Sequence, residues 1–351
     1  MFSIVTTQPI LEKLYAERSV WGDIVGLTKQ FYVRYESDWW EEDGNPLLEL
    51  SNAGANIVNK SDMVDSLTEH PEQMANYATS VFILDIEEKK ARELSAKYGV
   101  IVQPASHLND SILTEVSPES ITLEEAETGF SWRKILAGVK NLPSNAIIIN
   151  DRNLFTNDEV IKTQTGEIDK DKRCGLENVF NILNEILPSQ LGVPYHILVV
   201  FQEGQLKSTI TFKNMGTYLN KLRKRLSRPY DLVIEVLAVK SSSEFYKDTH
   251  HRRVFTNYGI LCFDQKVNAF VENRSNCSQS ITISRLFTHG LDGKNTPDEK
   301  KQSIYLKSFS NYVTDIKTRP ISGEHLFFKN GNADLTVADL ENRMVLCSCA
   351  D

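Results

Sequence analysis

The sequence contains no apolar run approaching the roughly 18–20 residues that span a bilayer, so membrane insertion is not expected. Low-complexity tracts are missing as well, and with 41% hydrophobic and 25% charged residues the composition is that of an ordinary folded chain. Cysteine is scarce. Cys174, Cys262, Cys277, Cys347 and Cys349 are odd in number and irregular in spacing, which suits reduced thiols better than a disulfide framework. Cys347 and Cys349 could clip a metal, but no second Cys/His pair stands at zinc-site spacing and no acidic cluster is evident. Neither an obligatory metal nor another cofactor is therefore expected. Met1-Phe2-Ser3-Ile4-Val5 lacks a basic region followed by a long apolar one, so the expectation is a cytoplasmic protein without a secretory signal.

What the chain does have is a division of charge. Residues 1–128 hold 23 acidic and 9 basic side chains, net −14; the remainder holds 24 and 30, net +6. A basic rear half suggests an anionic partner, with nucleic acid the commonest. The acidic front half could compete with that partner as an intramolecular brake.

At 351 residues two domains can each bury a core. In the front, apolar positions from Pro9 to Val33, Phe31 included, suit helical spacing, with Ser19 or Asp23 available as a cap. Ser80–Asp85 reads as a strand, Glu87–Tyr98 as a charged helix and Gly99–Val102 as another strand, a β-α-β unit that predicts a parallel sheet. Asp85 at its strand end is either a functional carboxylate or a helix cap. Trp39 and Trp40, inside an acidic segment, are either an anchor for a protein partner or core packing at a loop base. The polar stretch at 117–128 reads as a linker between an acidic α/β domain at 1–116 and a basic domain at 129–351.

The rear domain opens with an amphipathic helix around Trp132–Val139. An aliphatic run, Ala146–Ile149, then ends in Asn150-Asp151-Arg152. After a polar loop at 157–172 come a helix ending before Pro188, the strand Tyr195–Phe201, a basic helix and the strand Tyr230–Val239. The order β-α-β-α-β implies right-handed crossovers and a largely parallel sheet. Arg253–Phe263 then reads as a hairpin turning near Tyr258-Gly259.

Chemistry concentrates in Thr249-His250-His251-Arg252-Arg253. On an extended strand His250 and Arg252 share one face, His251 and Arg253 the other. A guanidinium fork suits phosphate oxygens, and a neighbouring imidazole can serve as nucleophile or general acid near neutral pH. A basic turn that only solvates itself accounts for the same residues. Lys213, Lys221, Arg223, Lys224, Arg225 and Arg228 form a further basic run that is either a solvated helix face or a phosphate-binding surface. Asn150, Asp151 and Arg152 belong near the carboxyl edge of the sheet, where α/β proteins bind ligands, or form an Asx turn closing the strand.

The spacing His250-x-Arg252-x4-Asn257 resembles the His-x-Lys-x4-Asp motif of the phospholipase D superfamily, with Arg for Lys and Asn for Asp. The surrounding element order, over residues 145–290, is similar to the C-terminal domain of microtubule-interacting-and-trafficking proteins and to single-repeat bacterial nucleases that dimerise. The resemblance implies a phospholipase D-like second domain in which His250 is the nucleophile, Arg252 clamps phosphate and Asn257 fills the third motif position. The chain has one such motif, so paired-histidine chemistry implies a homodimer. Asn257 lacks the charge of Asp, and Cys262-Phe263-Asp264-Gln265-Lys266 stands where Gly-Ser-x-Asn is expected. The resemblance therefore implies phosphate or nucleic-acid binding, by Arg252 and Arg253 with the basic run, and weakened or lost catalysis. Two alternatives stay open: a dimeric phosphodiesterase or nuclease acting in antiviral defence or for a mobile element, and a protein adaptor working through the acidic front.

Overall fold

The computed structural model describes residues 2–16, 19–36, 45–115, 119–155, 160–162, 168–202, 212–240, 244–246, 252–271, 274–288, 309–316, 326–329, 332–335 and 339–346. Trp39, Trp40, His250, His251, Cys347 and Cys349 lie outside them. The fold is mixed α/β, with one parallel and one mixed sheet.

The front sheet is built from β1 (Ser3–Thr7), α1 (Gln8–Ala16), α2 (Val20–Leu27), β2 (Gln30–Arg34), α3 (Pro46–Asn52), β3 (Asn56–Asn59), α4 (Ser61–Glu69), β4 (Ser80–Leu84), α5 (Glu88–Tyr98) and β5 (Ile101–Pro104). Its strands run in the order β3-β2-β1-β4-β5, all parallel. The consecutive buried residues Ile4-Val5, Phe31-Tyr32-Val33 and Val81-Phe82-Ile83 explain this, since a parallel sheet is covered on both faces. Ser19 caps α2, its Oγ accepting from the Gly22 N–H at 3.2 Å. Phe31, expected on a helix, is instead in β2, because α2 stops at Thr28 and the chain pairs with Ile4 in β1. Asp85 does not cap α5; the cap position is Glu87, without a side-chain bond. Gly99 ends α5 at φ 64°, and a Cβ there would collide with the Ser144 carbonyl, so both backbone conformation and close approach require glycine.

The rear sheet follows from β6 (Thr114–Glu115), β7 (Glu119–Leu123), α6 (Trp132–Ile135), β8 (Ala146–Asn150), β9 (Val160–Lys162), β10 (Ile168–Arg173), α7 (Cys174–Ile186), β11 (Tyr195–Gln202), α8 (Phe212–Leu226), β12 (Leu232–Val239), β13 (Arg253–Thr256) and β14 (Gly259–Phe263). Then come β15 (Phe270–Val271), β16 (Arg274–Ser275), β17 (Gln279–Arg285), β18 (Phe287–Thr288), α9 (309–316), β19 (Leu326–Lys329), β20 (Asn332–Leu335) and α10 (Arg343–Leu346). Nine of these strands form one sheet ordered β20-β19-β12-β11-β8-β13-β14-β17-β7. Only β8, β11 and β12 run mutually parallel; every other adjacent pair is antiparallel, so the sheet is mixed rather than largely parallel. Two further segments differ from the sequence expectation. Residues 119–123, inside the supposed linker, form β7 and pair with β17, and the supposed loop at 157–172 contains the antiparallel pair β9–β10.

The two sheets share a single apolar cluster running from Phe2 to Val345. The turn between β13 and β14 pins them together. The Tyr258 hydroxyl donates to the Ser80 carbonyl of β4 and accepts from the Ile101 N–H of β5 at 2.9 Å, both at the amino edge of the front sheet. Asn145, just before β8, donates from Nδ2 to the carbonyls of Ala75 and Tyr98. The front half thus docks on the amino edge of the rear sheet.

Candidate anion-binding site at the carboxyl edge of the rear sheet

β13 runs antiparallel to β8 with Arg253 opposite Asn150, which brings Arg252 beside Asp151. The two segments singled out from sequence, Asn150-Asp151-Arg152 and Arg252-Arg253, therefore meet at one edge although about a hundred residues separate them. This is the carboxyl edge of the parallel trio, the side on which α/β sheets collect ligands.

Each member is held by specific bonds. Asn150 is fully buried, and its Oδ1 accepts from the hydroxyls of Tyr246 (3.0 Å) and Tyr312 (3.1 Å). Asp151 is fully buried too. Its Oδ1 accepts from the Asn153 N–H at 2.9 Å, the Asx turn considered from sequence, and its Oδ2 accepts from the Val267 N–H at 2.8 Å. Burial raises this carboxyl above the usual range, opposed by those two bonds and by the positive charges of Arg252 and Lys266. Arg152 donates from Nε to the Gln202 side chain at the end of β11.

Arg252 is partly buried. One terminal nitrogen donates to the Asp264 carbonyl at 2.6 Å, while its Nε is buried and has no acceptor. Arg253 faces the other side of the sheet, hydrogen-bonded to the Cys262 thiol and close to Tyr312. Burial pushes that thiol up and Arg253 pulls it back down, so it is not a ready thiolate. Opposite orientation of Arg252 and Arg253 is what alternation along a strand dictates. Chemically, the edge offers a guanidinium with spare donor capacity, Lys266 nearby and a buried carboxyl behind them.

Two sets of expected site residues are not brought to it. Asn257 stands five residues along β13 from Arg252, roughly 16 Å in extended chain, and is fully buried at the opposite edge. Its Oδ1 accepts from the Ser144 hydroxyl (3.0 Å), the Asn145 N–H (3.2 Å) and the Ala146 N–H (3.1 Å), and its Nδ2 donates to the Ala78 carbonyl and to Asn145 Oδ1. That is a joint between the sheets, with no capacity left for a ligand. Lys213 lies in the first turn of α8, but the rest of the basic run occupies its later turns and the residues just after it, where the helix leads away from the carboxyl edge toward the start of β12. Arg225 forms a bidentate ion pair with Glu177 (2.6 and 3.0 Å) and stacks on Phe180, and Arg228 donates to the carbonyls of Leu226 and Asn184. Lys221, Arg223 and Lys224 belong to the same turns of α8.

The protein matches no family model and no curated protein. Sequence reasoning passed over Tyr246, Tyr312 and Gln202, and met Lys266 only as a departure from the resembled motif; Gln202 ends β11 and the others support the edge from short helices and a loop, with an aromatic pair at Phe245-Tyr246 just ahead of the histidines as the available signal. Among the described residues no group of three or more His, Cys, Asp or Glu side chains could hold a metal, and no helix is long and apolar enough to cross a membrane.

Proposed function

We propose that this protein binds a phosphate-bearing ligand, nucleic acid foremost, at the carboxyl edge of the rear sheet, through Arg252 and the His250-His251 segment that leads into it. The single observation that carries the reading is Arg252 itself, partly buried beside Asp151, with a guanidinium Nε that no protein group satisfies. A planar cation kept partly dry with an open donor is suited to an oxyanion. The phospholipase D-like reading draws support from the strand–helix–strand–helix–strand succession of β8, β11 and β12 followed by a hairpin alongside β8. The engagement of Asn257 elsewhere favours binding over turnover, because the third motif position is occupied by a structural joint.

The test uses the full chain with labelled single-stranded DNA, duplex DNA and RNA at several salt concentrations. Binding without cleavage, weakened by Arg252→Ala, is the expected result. Cleavage abolished by His250→Ala, in a protein that sediments as a dimer, would favour a nuclease instead. No effect of either substitution on binding would refute the phosphate reading.

A further inference from the structure

The front sheet carries a second candidate site, independent of the one above. Its order β3-β2-β1-β4-β5 reverses direction between β1 and β4, and at their carboxyl ends such a reversal leaves a crevice between diverging connections. A crevice of about 700 Å³ lies there, lined by Thr7 at the end of β1, Lys13 on α1, Ser19 and Trp21 around the start of α2, Asp85 beyond β4 and His107 beyond β5. α1 starts on the residue after β1 ends, so its nine-residue helix presents its N-terminal turn to the same space.

One buried atom there lacks a partner. Trp21 is only 4% exposed, and its indole N–H has no acceptor. Leaving a buried donor unsatisfied is costly, and this one belongs to a side chain that lines the crevice. The lining therefore offers donors from Trp21, Lys13, His107 and the start of α1, and Asp85, exposed just beyond β4, adds an acceptor.

We propose that this crevice binds a nucleoside monophosphate, its phosphate toward α1, Lys13 and the Trp21 N–H, and its sugar hydroxyls donating to Asp85. The local donors oppose the net negative charge of the surrounding half, so binding is confined to the crevice. The volume accommodates a mononucleotide and leaves room for solvent at the rim.

The test follows the Trp21 indole N–H resonance by NMR in the intact protein, assigned through Trp21→Phe, during titration with adenosine monophosphate, inorganic phosphate or adenosine. Adenosine monophosphate is expected to move that resonance and to bind more tightly than either fragment. Lys13→Ala, at an exposed position of α1, is expected to weaken it about tenfold, and Asp85→Asn to narrow its advantage over phosphate. Arg252→Ala should change nothing here, which separates this site from the one on the rear sheet. No movement of the Trp21 resonance, equal binding of adenosine and its monophosphate, or an unaltered Lys13→Ala would overturn the proposal. Equal affinity for phosphate and the monophosphate would overturn the role given to Asp85.

Discussion

Replacing Asn257 tests whether the third position of the resembled motif is catalytic or architectural. Asn257→Ala strips acceptors from the Asn145 and Ala146 N–H groups and a donor from the Ala78 carbonyl, all buried at the seam of the two sheets. Ser144 suffers least, since its hydroxyl already contacts Tyr195 and the Ala146 carbonyl. At about 1–3 kcal/mol for each orphaned group, with partial rescue by water, the expected loss is roughly 3–5 kcal/mol. In urea that amounts to a midpoint lowered by on the order of 1 M. Asn257→Asp is the sharper variant, because it would restore the charge typical of the resembled motif. Here it would aim an oxygen at the Ala78 carbonyl and at Asn145 Oδ1. Asn145 cannot flip to relieve this without losing its own bonds to Ala75 and Tyr98. The aspartate is thus expected to destabilise by a similar amount and to confer no phosphodiesterase activity. Equilibrium unfolding followed by circular dichroism, with a cleavage assay on the same samples, decides the matter. An Asn257→Asp protein as stable as the parent, or newly able to cleave, would refute the architectural role.

Arg252→Ala should weaken nucleic-acid binding and reduce its log–log salt slope by about one, whereas Arg225→Ala, whose guanidinium is already paired with Glu177, should lower it much less; filter binding across a salt series measures both. Removing the Tyr258 hydroxyl by Tyr258→Phe should cost about 1–3 kcal/mol in the same unfolding assay, and a loss near zero would mean that the seam is held by apolar contact alone. Glu235 on β12 is fully buried, and burial raises its carboxyl to about 7, although it accepts from the Glu341 N–H; an acid protonated more readily in the folded state stabilises below its unfolded pKa and loses that contribution as pH rises through 7. His196 on β11 acts in reverse, lowered to about 4 by burial and Arg343, so its contribution is lost as pH falls from 6.5 toward 4. Between pH 6.5 and 8 the loss from Glu235, roughly 1 kcal/mol, exceeds the gain, about half as large, as His196 of the unfolded chain finishes deprotonating, so the parent should lose stability over that interval and Glu235→Gln should instead gain it; urea midpoints at both pH values provide the comparison.

Much of the rear sheet was legible in the chain because its signals are local. Ala146–Ile149 is an unbroken apolar run, Tyr195–Phe201 is interrupted only by His196 and Tyr230–Val239 only by Asp231 and Glu235, and such predominantly apolar runs between amphipathic helices read as buried parallel strands. Ser19, the β4–α5–β5 unit and the hairpin behind Arg253 were legible for the same reason. Tertiary structure alone decided the rest. β7 looks polar because only Ile121 and Leu123 face the core, so pairing with β17 rather than composition makes it a strand. Phe31 fits a helical period as well as a strand until β1 lies beside it. Asn257 is indistinguishable from a motif residue until Ala78, almost 180 positions earlier, arrives at its amide. Periodicity determines which face of an element is apolar. Which polar atoms meet across the sheets depends on how the chain returns, and that long-range geometry turned Asn257 into a joint, set Arg252 beside Asp151 and left the Trp21 N–H without an acceptor.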